Sequence, residues 1–261
     1  MPVDTVTPEP AAPAYPVVLD AALDQPSRAL WLVKWLLLIP HYLVLALLGI
    51  GAAVVWIVAF FAILITGRYP RPLFDYTVGV LRWAWRVSAY GYGLASTDRY
   101  PPFTLADVPD YPAHLDVAYP DRLSRGLVLV KWWLLAIPHY LVTGLFFAGA
   151  LRFGTTDTTG TSGTSGIAGT SGIAGTSGTT PGLAGVLVLV ALVVLLVRGT
   201  YLTSVFDLVV GLQRWGFRVG GYALLLTDRY PPFRLDLGGA DPARILPAVP
   251  ATEPGSVPAQ A

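Results

Sequence analysis

The chain has no cysteine, a single methionine and few charges: 13% of its 261 residues are Asp, Glu, Lys or Arg, against 54% hydrophobic. Without cysteine there is no disulfide, no thiol nucleophile and no thiolate metal site. So little charge excludes an ordinary soluble domain of this size, in which about a quarter of the residues are charged. The mean hydropathy of +0.59 points the same way, to an integral membrane protein. Other absences narrow the chemistry. There is no G-x-x-x-x-G-K-[ST] phosphate loop, no H-E-x-x-H and no G-x-S-x-G. The apolar segments hold no carboxylate pair for acid–base work and no second ligand type for a metal. The start, "MPVDTVTPEPAAPAYP", has no basic stretch before an apolar core and does not read as a cleaved signal peptide. Residues 1–14 and 238–261, rich in Pro and Ala, read as disordered tails.

What is present is a duplication. "TDRYPPF" stands at Thr97–Phe103 and again, letter for letter, at Thr227–Phe233. Three other phrases recur in the same order. "YPVVLD" (Tyr15–Asp20) answers "YPAHLD" (Tyr111–Asp116), and "KWLLLIPHYLV" from Lys34 answers "KWWLLAIPHYLV" from Lys131. "FDYTVGVLRWAWRVSAY" from Phe74 answers "FDLVVGLQRWGFRVGGY" from Phe206. The chain therefore divides into repeat unit 1 (15–105) and repeat unit 2 (106–237). A tract of Gly, Ser and Thr at 154–181 interrupts only the second unit and reads as a flexible loop in water.

The site of that tract bears on topology. It falls where unit 1 reads "GIGA" (Gly49–Ala52), and a polar tract is tolerated in a turn but not inside a membrane span. The expectation is a helical hairpin in each unit, with spans of about 28–48 and 51–67, then 126–149 and 182–200. The alternative is a single span from His41 to Thr66. The hairpin places 16 of the 17 Lys and Arg residues on one side and Arg152 alone on the other, a strong positive-inside asymmetry. Four spans with both termini in the cytoplasm follow, and the Gly/Ser/Thr tract is then extracytoplasmic.

After each hairpin comes a helix, 74–95 and 206–226. On it Asp75, Gly79, Arg82, Arg86 and Tyr90 share one face, and Asp207, Gly211, Arg214, Arg218 and Tyr222 repeat that face. Such helices suit the membrane interface, with Trp83, Trp85 and Trp215 as aromatic anchors. Two readings of the stripe stand side by side. In one, Asp75 and Asp207 pair with the arginines for structural reasons. In the other, Arg82 with Arg86 and Arg214 with Arg218 hold an anionic lipid headgroup, helped in unit 1 by Arg68 and Arg71. In "IPHY" the proline kinks a helix and frees a carbonyl that the neighbouring histidine can reach. Pro40, His41 and Tyr42, with Pro138, His139 and Tyr140, are therefore either a structural kink or a proton path. Lys34 and Lys131 are expected to snorkel outward. The Pro-Pro of TDRYPPF ends each helix, and Asp98 and Asp228 are placed to reach the arginine stripe or cap a helix. "FTL" (Phe103–Leu105), "FRLDL" (Phe233–Leu237) and the two "YP" phrases are expected to form a small cytoplasmic sheet.

The ordered set KW-L-L-IPHY, GRYPR-LFD, VG-LRW-RV and TDRYPPF resembles an uncharacterised bacterial membrane family, domain of unknown function 4389, over about Tyr15–Leu237 without the insertion. The resemblance implies a repeated unit and a bacterial membrane location, and no activity. Unit 2 departs from the pattern with "RGTYLTSVFD" (Arg198–Asp207) where unit 1 has "GRYPRPLFD" (Gly67–Asp75). The expected fold class is thus a mainly α membrane protein of two parallel repeats, each a hairpin plus an amphipathic helix, with a small β element. The expected role is a non-enzymatic scaffold that binds anionic lipid, a protein partner or a second copy of itself, with no nucleic acid, metal or cofactor. A small transporter or proton channel using His41 and His139 is the alternative, and an enzyme acting on a lipid a distant third.

Overall fold

The computed structural model describes residues 15–24, 26–147 and 182–242. The expected tail 1–14, the tract 154–181, all but the first five residues of the tail 238–261, and Arg152 and Arg244 lie outside the described residues.

The described chain is mainly helical. It runs β1 (Val17–Ala21), α1 (Trp31–Thr66), α2 (Arg71–Tyr90), β2 (Ala113–Val117), α3 (Arg125–Val130), a π-helical turn (Lys131–Leu135), α4 (Ile137–Phe147), α5 (Leu183–Arg198) and α6 (Thr203–Ala223). Two helical stretches, Trp31–Thr66 and Arg125–Gly144, are long and apolar enough to cross a membrane. α1 ends where Gly67 turns to φ +71 and returns its N–H to the Ile63 carbonyl, and α5 ends in the same way at Gly199, φ +74. Left-handed glycine is the usual stop for an apolar helix with no polar cap.

The turn expected at Gly49–Ala52 is absent. α1 is one helix of 36 residues, about 54 Å at 1.5 Å per residue. A helix tolerates an isolated glycine, and Gly51 has another purpose: a Cβ there would lie 2.4 Å from the Tyr76 hydroxyl, which donates to the Leu48 carbonyl. The sheet is also smaller than expected. β1 and β2 pair antiparallel, while FTL and FRLDL form no strand.

The units are related by a local twofold that the strand register reveals. Leu19 pairs with Leu115, which is its own counterpart in the second unit. One layer deeper, Trp85 meets its counterpart Phe217, ring centroids 5.2 Å apart. The strands are exchanged across this axis. The Tyr15 hydroxyl donates to the Arg229 carbonyl in unit 2, and Tyr111 donates to the Arg99 carbonyl in unit 1, both at 3.0 Å. Three layers stack along the axis: the sheet, then α2 and α6, then the long helices. α2 joins its neighbours on both sides, through Arg82 Nε to the Leu115 carbonyl (2.9 Å) and through Trp83 Nε1 to His41 (3.1 Å). It is therefore a central element, not one lying at an interface. Trp83, Trp85 and Trp215 are at most 5% exposed instead of anchoring in a headgroup layer. In the third layer Gly67 lies against Arg125 and Trp56 against Trp132, so α1 and the first helices of unit 2 run in opposite directions.

Candidate functional site

TDRYPPF is the clamp that fixes the long helix of each unit. Lys34 Nζ donates to the Thr97 carbonyl (2.7 Å), pairs with Asp98 (2.9 Å) and lies 4.7 Å from the centre of the Tyr90 ring. Lys131 Nζ does the same with the Thr227 carbonyl (3.1 Å), Asp228 (2.7 Å) and the Tyr222 ring. Instead of snorkelling, both lysines are buried, at 1% and 0% exposure. Asp98 and Asp228 therefore serve lysines, not the arginine stripe. Each also accepts the backbone N–H of the serine just before the long helix, Ser27 or Ser124, at 2.5 Å. Burial raises the pKa of Asp98, but the hydrogen bonds from Ser27 and Lys34 outweigh it and leave the carboxyl below its usual range.

The aromatic residues of the phrase enclose the histidines. Phe103 stacks on His41 at 4.2 Å with Tyr100 at 4.7 Å, and Phe233 stacks on His139 at 4.0 Å with Tyr230 at 4.8 Å. Trp83 Nε1 donates to His41 Nδ1 (3.1 Å), so His41 carries its proton on Nε2, and that atom has no hydrogen-bond partner among the described residues. In unit 2, among the described residues, neither His139 nitrogen has a hydrogen-bond partner and Trp215 Nε1 has none. Neither histidine reaches the backbone near its proline. The Tyr100 hydroxyl does, donating to the Leu37 carbonyl at 3.2 Å. α1 passes through Pro40 unbroken, and Pro138 stands in the first turn of α4, where a missing N–H costs nothing. Tyr42 is exposed, and Tyr140 donates to the Trp132 carbonyl (2.7 Å). Each histidine sits in the box of its own unit.

The one-residue difference between the two Lys-to-His spacings is absorbed by the π-helical turn. Lys131–Leu135 takes up the additional residue, so that Lys131 meets groups equivalent to those of Lys34, and the His139 ring meets rings equivalent to those around His41.

The stripe arginines do share a face, but that face is buried against the exchanged strands. Arg82 donates to the Leu115 carbonyl and pairs with Asp116 (2.7 Å). Arg214 donates to the equivalent Leu19 carbonyl (3.0 Å) and pairs with Asp241 (3.2 Å). Arg218 is held by Asp236 (2.5 Å) and Asp241 (3.1 Å). Among the described residues Arg86 has carbonyls only, Ala106 at 3.0 Å and Thr104, and its Nε has no partner. Burial draws Arg86 below the usual arginine range, opposed only in part by Tyr111 and Asp107. With Arg86, Arg214 and Arg218 at most 2% exposed, the headgroup site expected on this stripe is closed. Asp75 is not its partner either: it lies exposed, 4.0 Å from Arg71, while Asp207 gives its backbone carbonyl to Gly238.

The accessible basic groups lie elsewhere. Exposed Arg68 shares a cavity of about 540 Å³ with Arg122 and Arg125, around Thr66, Gly67 and Leu123 at the end of α1. Arg71 stacks over Tyr119 at 4.2 Å, beside this end. At the equivalent end of α5, the Arg28 guanidinium packs so closely on Gly199 that a Cβ would lie 2.2 Å from it. The doubled dipeptide Ser27-Arg28 and Ser124-Arg125 is the sequence signal for these ends.

Fold and site together define a repeat-built, mainly helical protein whose long apolar helices are clamped to a polar sheet layer. The profile of the family described as Domain of unknown function (DUF4389) matches residues 28–104 and 178–234, about half of the chain and consistent with two copies. The chain belongs to that family. No curated protein matches it, and no solved structure does.

Proposed function

We propose that the protein is a non-catalytic membrane scaffold of the bacterial cell membrane, with its sheet layer and termini on the cytoplasmic side and its basic ends engaging anionic lipid. The observation that carries this reading is the surface of α1. Only Lys34, Leu38, His41, Leu45, Ala59 and Ile63 of its 36 residues are buried, and the others include Leu43, Leu47, Ile50 and Ile65, each about two-thirds exposed. So long an exposed apolar surface is unstable in water and at home against acyl chains. The buried lysines and stacked histidines support a scaffold, because they fix the long helices to the layer beneath them through ion pairs and ring stacking. The four-span arrangement loses its first turn with the continuity of α1, so the number of crossings is not carried over. A proton path gains little from the described residues, since each histidine is packed among rings.

Flotation with vesicles tests the reading. The protein should rise with phosphatidylcholine vesicles, and more completely when phosphatidylglycerol is included. Protein that stays in the aqueous fraction with both would overturn the proposal. Release by carbonate together with indifference to phosphatidylglycerol would reduce it to a peripheral association.

A further inference from the structure

We infer that the long helices do not cross the bilayer but lie in one leaflet, parallel to its plane, with an arginine cluster at each end of the pair seated among anionic headgroups. The inference rests on the membrane reading above and specifies the surface and its lipid partner.

Length argues first. α1 is about 54 Å long, whereas a bilayer core is about 30 Å thick. Tilting by the roughly 40° that marks the upper end of the observed range accommodates only about 39 Å.

Packing argues more strongly. The covered positions of α1 form one stripe along its whole length: Lys34, Leu38, His41 and Leu45, then half-buried Leu48, Ala52 and Val55, then Ala59 and Ile63. This is a regular helical face. The rest of the chain covers it from Asp98 at one end to Leu123 and Arg125 at the other. Behind the cover, one layer away, lie the buried arginines and their carboxylates, and Asp116 is exposed to solvent. A helix crossing the bilayer would take that cover, with its charges, into the hydrocarbon, where such groups are stranded. The opposite face is apolar and exposed throughout, through Leu36, Leu43, Leu47, Val54, Ile57 and Ile65. A helix with one face covered along its length by protein that carries buried charges behind it, and the other face apolar and exposed, fits a plane, not a crossing.

Charge and symmetry agree. Because the long helices run in opposite directions, the cluster Arg68, Arg122 and Arg125 lies at one end of the pair, and Arg28 and Arg198 lie at the other. Among the described residues, none of these five has a carboxylate within 4.0 Å. Crossing helices would send one cluster to the far side. An in-plane pair brings both to the headgroup level of the same leaflet, where free guanidinium groups find phosphate.

Single cysteines are readily introduced into this cysteine-free chain, and Leu36, Leu47, Ile57 and Ile65 are exposed positions spread along α1. Nitroxide labels at these sites, in phosphatidylcholine–phosphatidylglycerol vesicles, report depth through their collisions with oxygen and with a water-soluble nickel complex. All four should lie at one shallow depth, about 5–10 Å into the headgroup–acyl boundary. Labels at Leu47 and Ile57 near the bilayer centre, with Leu36 and Ile65 at opposite surfaces, would overturn the in-plane seating while leaving the membrane reading intact. Strong label-to-label broadening without any depth would replace the lipid by a second copy of the chain and overturn it too. The combined variant R68Q/R122Q/R125Q should partition about a hundredfold less into phosphatidylglycerol-containing vesicles and equally into phosphatidylcholine. Unchanged partition would remove the headgroup contact. A labelled protein that failed to float with any vesicle would overturn the membrane reading and, with it, this seating.

Discussion

The two units solve one packing problem with different charges. In unit 2, Arg214 and Arg218 are buried with two carboxylates, Asp236 and Asp241. In unit 1, Arg86 is held by carbonyls and Arg82 has the exposed Asp116. The clamp, by contrast, is repeated almost atom for atom, down to a π-helical turn that corrects an additional residue. Contacts that set the position of the long helix are held fixed, and charge compensation is free to vary so long as every buried guanidinium finds oxygen acceptors.

The largest way to break the comparison is to remove the charge that only unit 2 has. Asp241→Asn removes the carboxylate that the buried Arg214 and Arg218 share and should cost about 3–5 kcal/mol in urea unfolding. Tyr111→Phe, beside Arg86 in unit 1, removes one hydroxyl shared between the Arg86 and Arg99 carbonyls and should cost about 1 kcal/mol. Equal costs would show that carboxylate pairing is not what distinguishes the units.

Acid comes next. Asp98 is held below its unfolded value, so its contribution is present above the ordinary Asp range of about 3.9 and is lost as pH falls through the lower folded value. Melting temperatures followed from neutral pH downward should drop in that window, and Asp98→Asn should flatten that part of the curve. A curve of the same shape for the variant would exclude Asp98 as the cause.

A finer contrast lies in the tryptophans. Trp83→Phe removes the donor to His41 Nδ1 and should cost about 1 kcal/mol beyond the small change in packing, whereas Trp215→Phe removes an N–H with no partner and should be neutral or stabilising. The reverse order would mean that the bond forms in unit 2 instead. The smallest effect belongs to deletion of Ala136, which gives unit 2 the Lys-to-His spacing of unit 1. Because the π-helical turn already absorbs that residue, the deletion should change stability by no more than about 1 kcal/mol, where a deletion within a regular helix would rotate every following side chain.

Much of this was legible in the sequence. The duplication, the arginine face and the importance of TDRYPPF all follow from repeated letters and helical spacing, which are local. The hairpin was misread because the insertion in unit 2 marked Gly49–Ala52 as a place where chain can be added. In unit 1 the glycine there makes room for Tyr76. The partners of Lys34 and Arg82 were hidden for a different reason. A face can be read from spacing, but what covers it depends on which copy of a repeated strand crosses over, and the two copies are nearly interchangeable in sequence. Of the open arginines, Arg68 was named from its place before α2, but Arg28 and Arg125 were not, because each acts at the end of a helix belonging to the other unit.

The pairing of Leu19 with Leu115 has a consequence for assembly. Each strand completes the helix layer of the other unit, and the contact lies on the axis that relates them. A shorter chain carrying one unit would be left with an open strand edge and an uncovered pair of arginines, and the surface best shaped to close both is the same surface on an identical chain. Such a chain would form an isologous homodimer through its Leu19 edge. The present protein joins the two halves of such a pair in one polypeptide, so this contact is intramolecular and cannot be diluted apart.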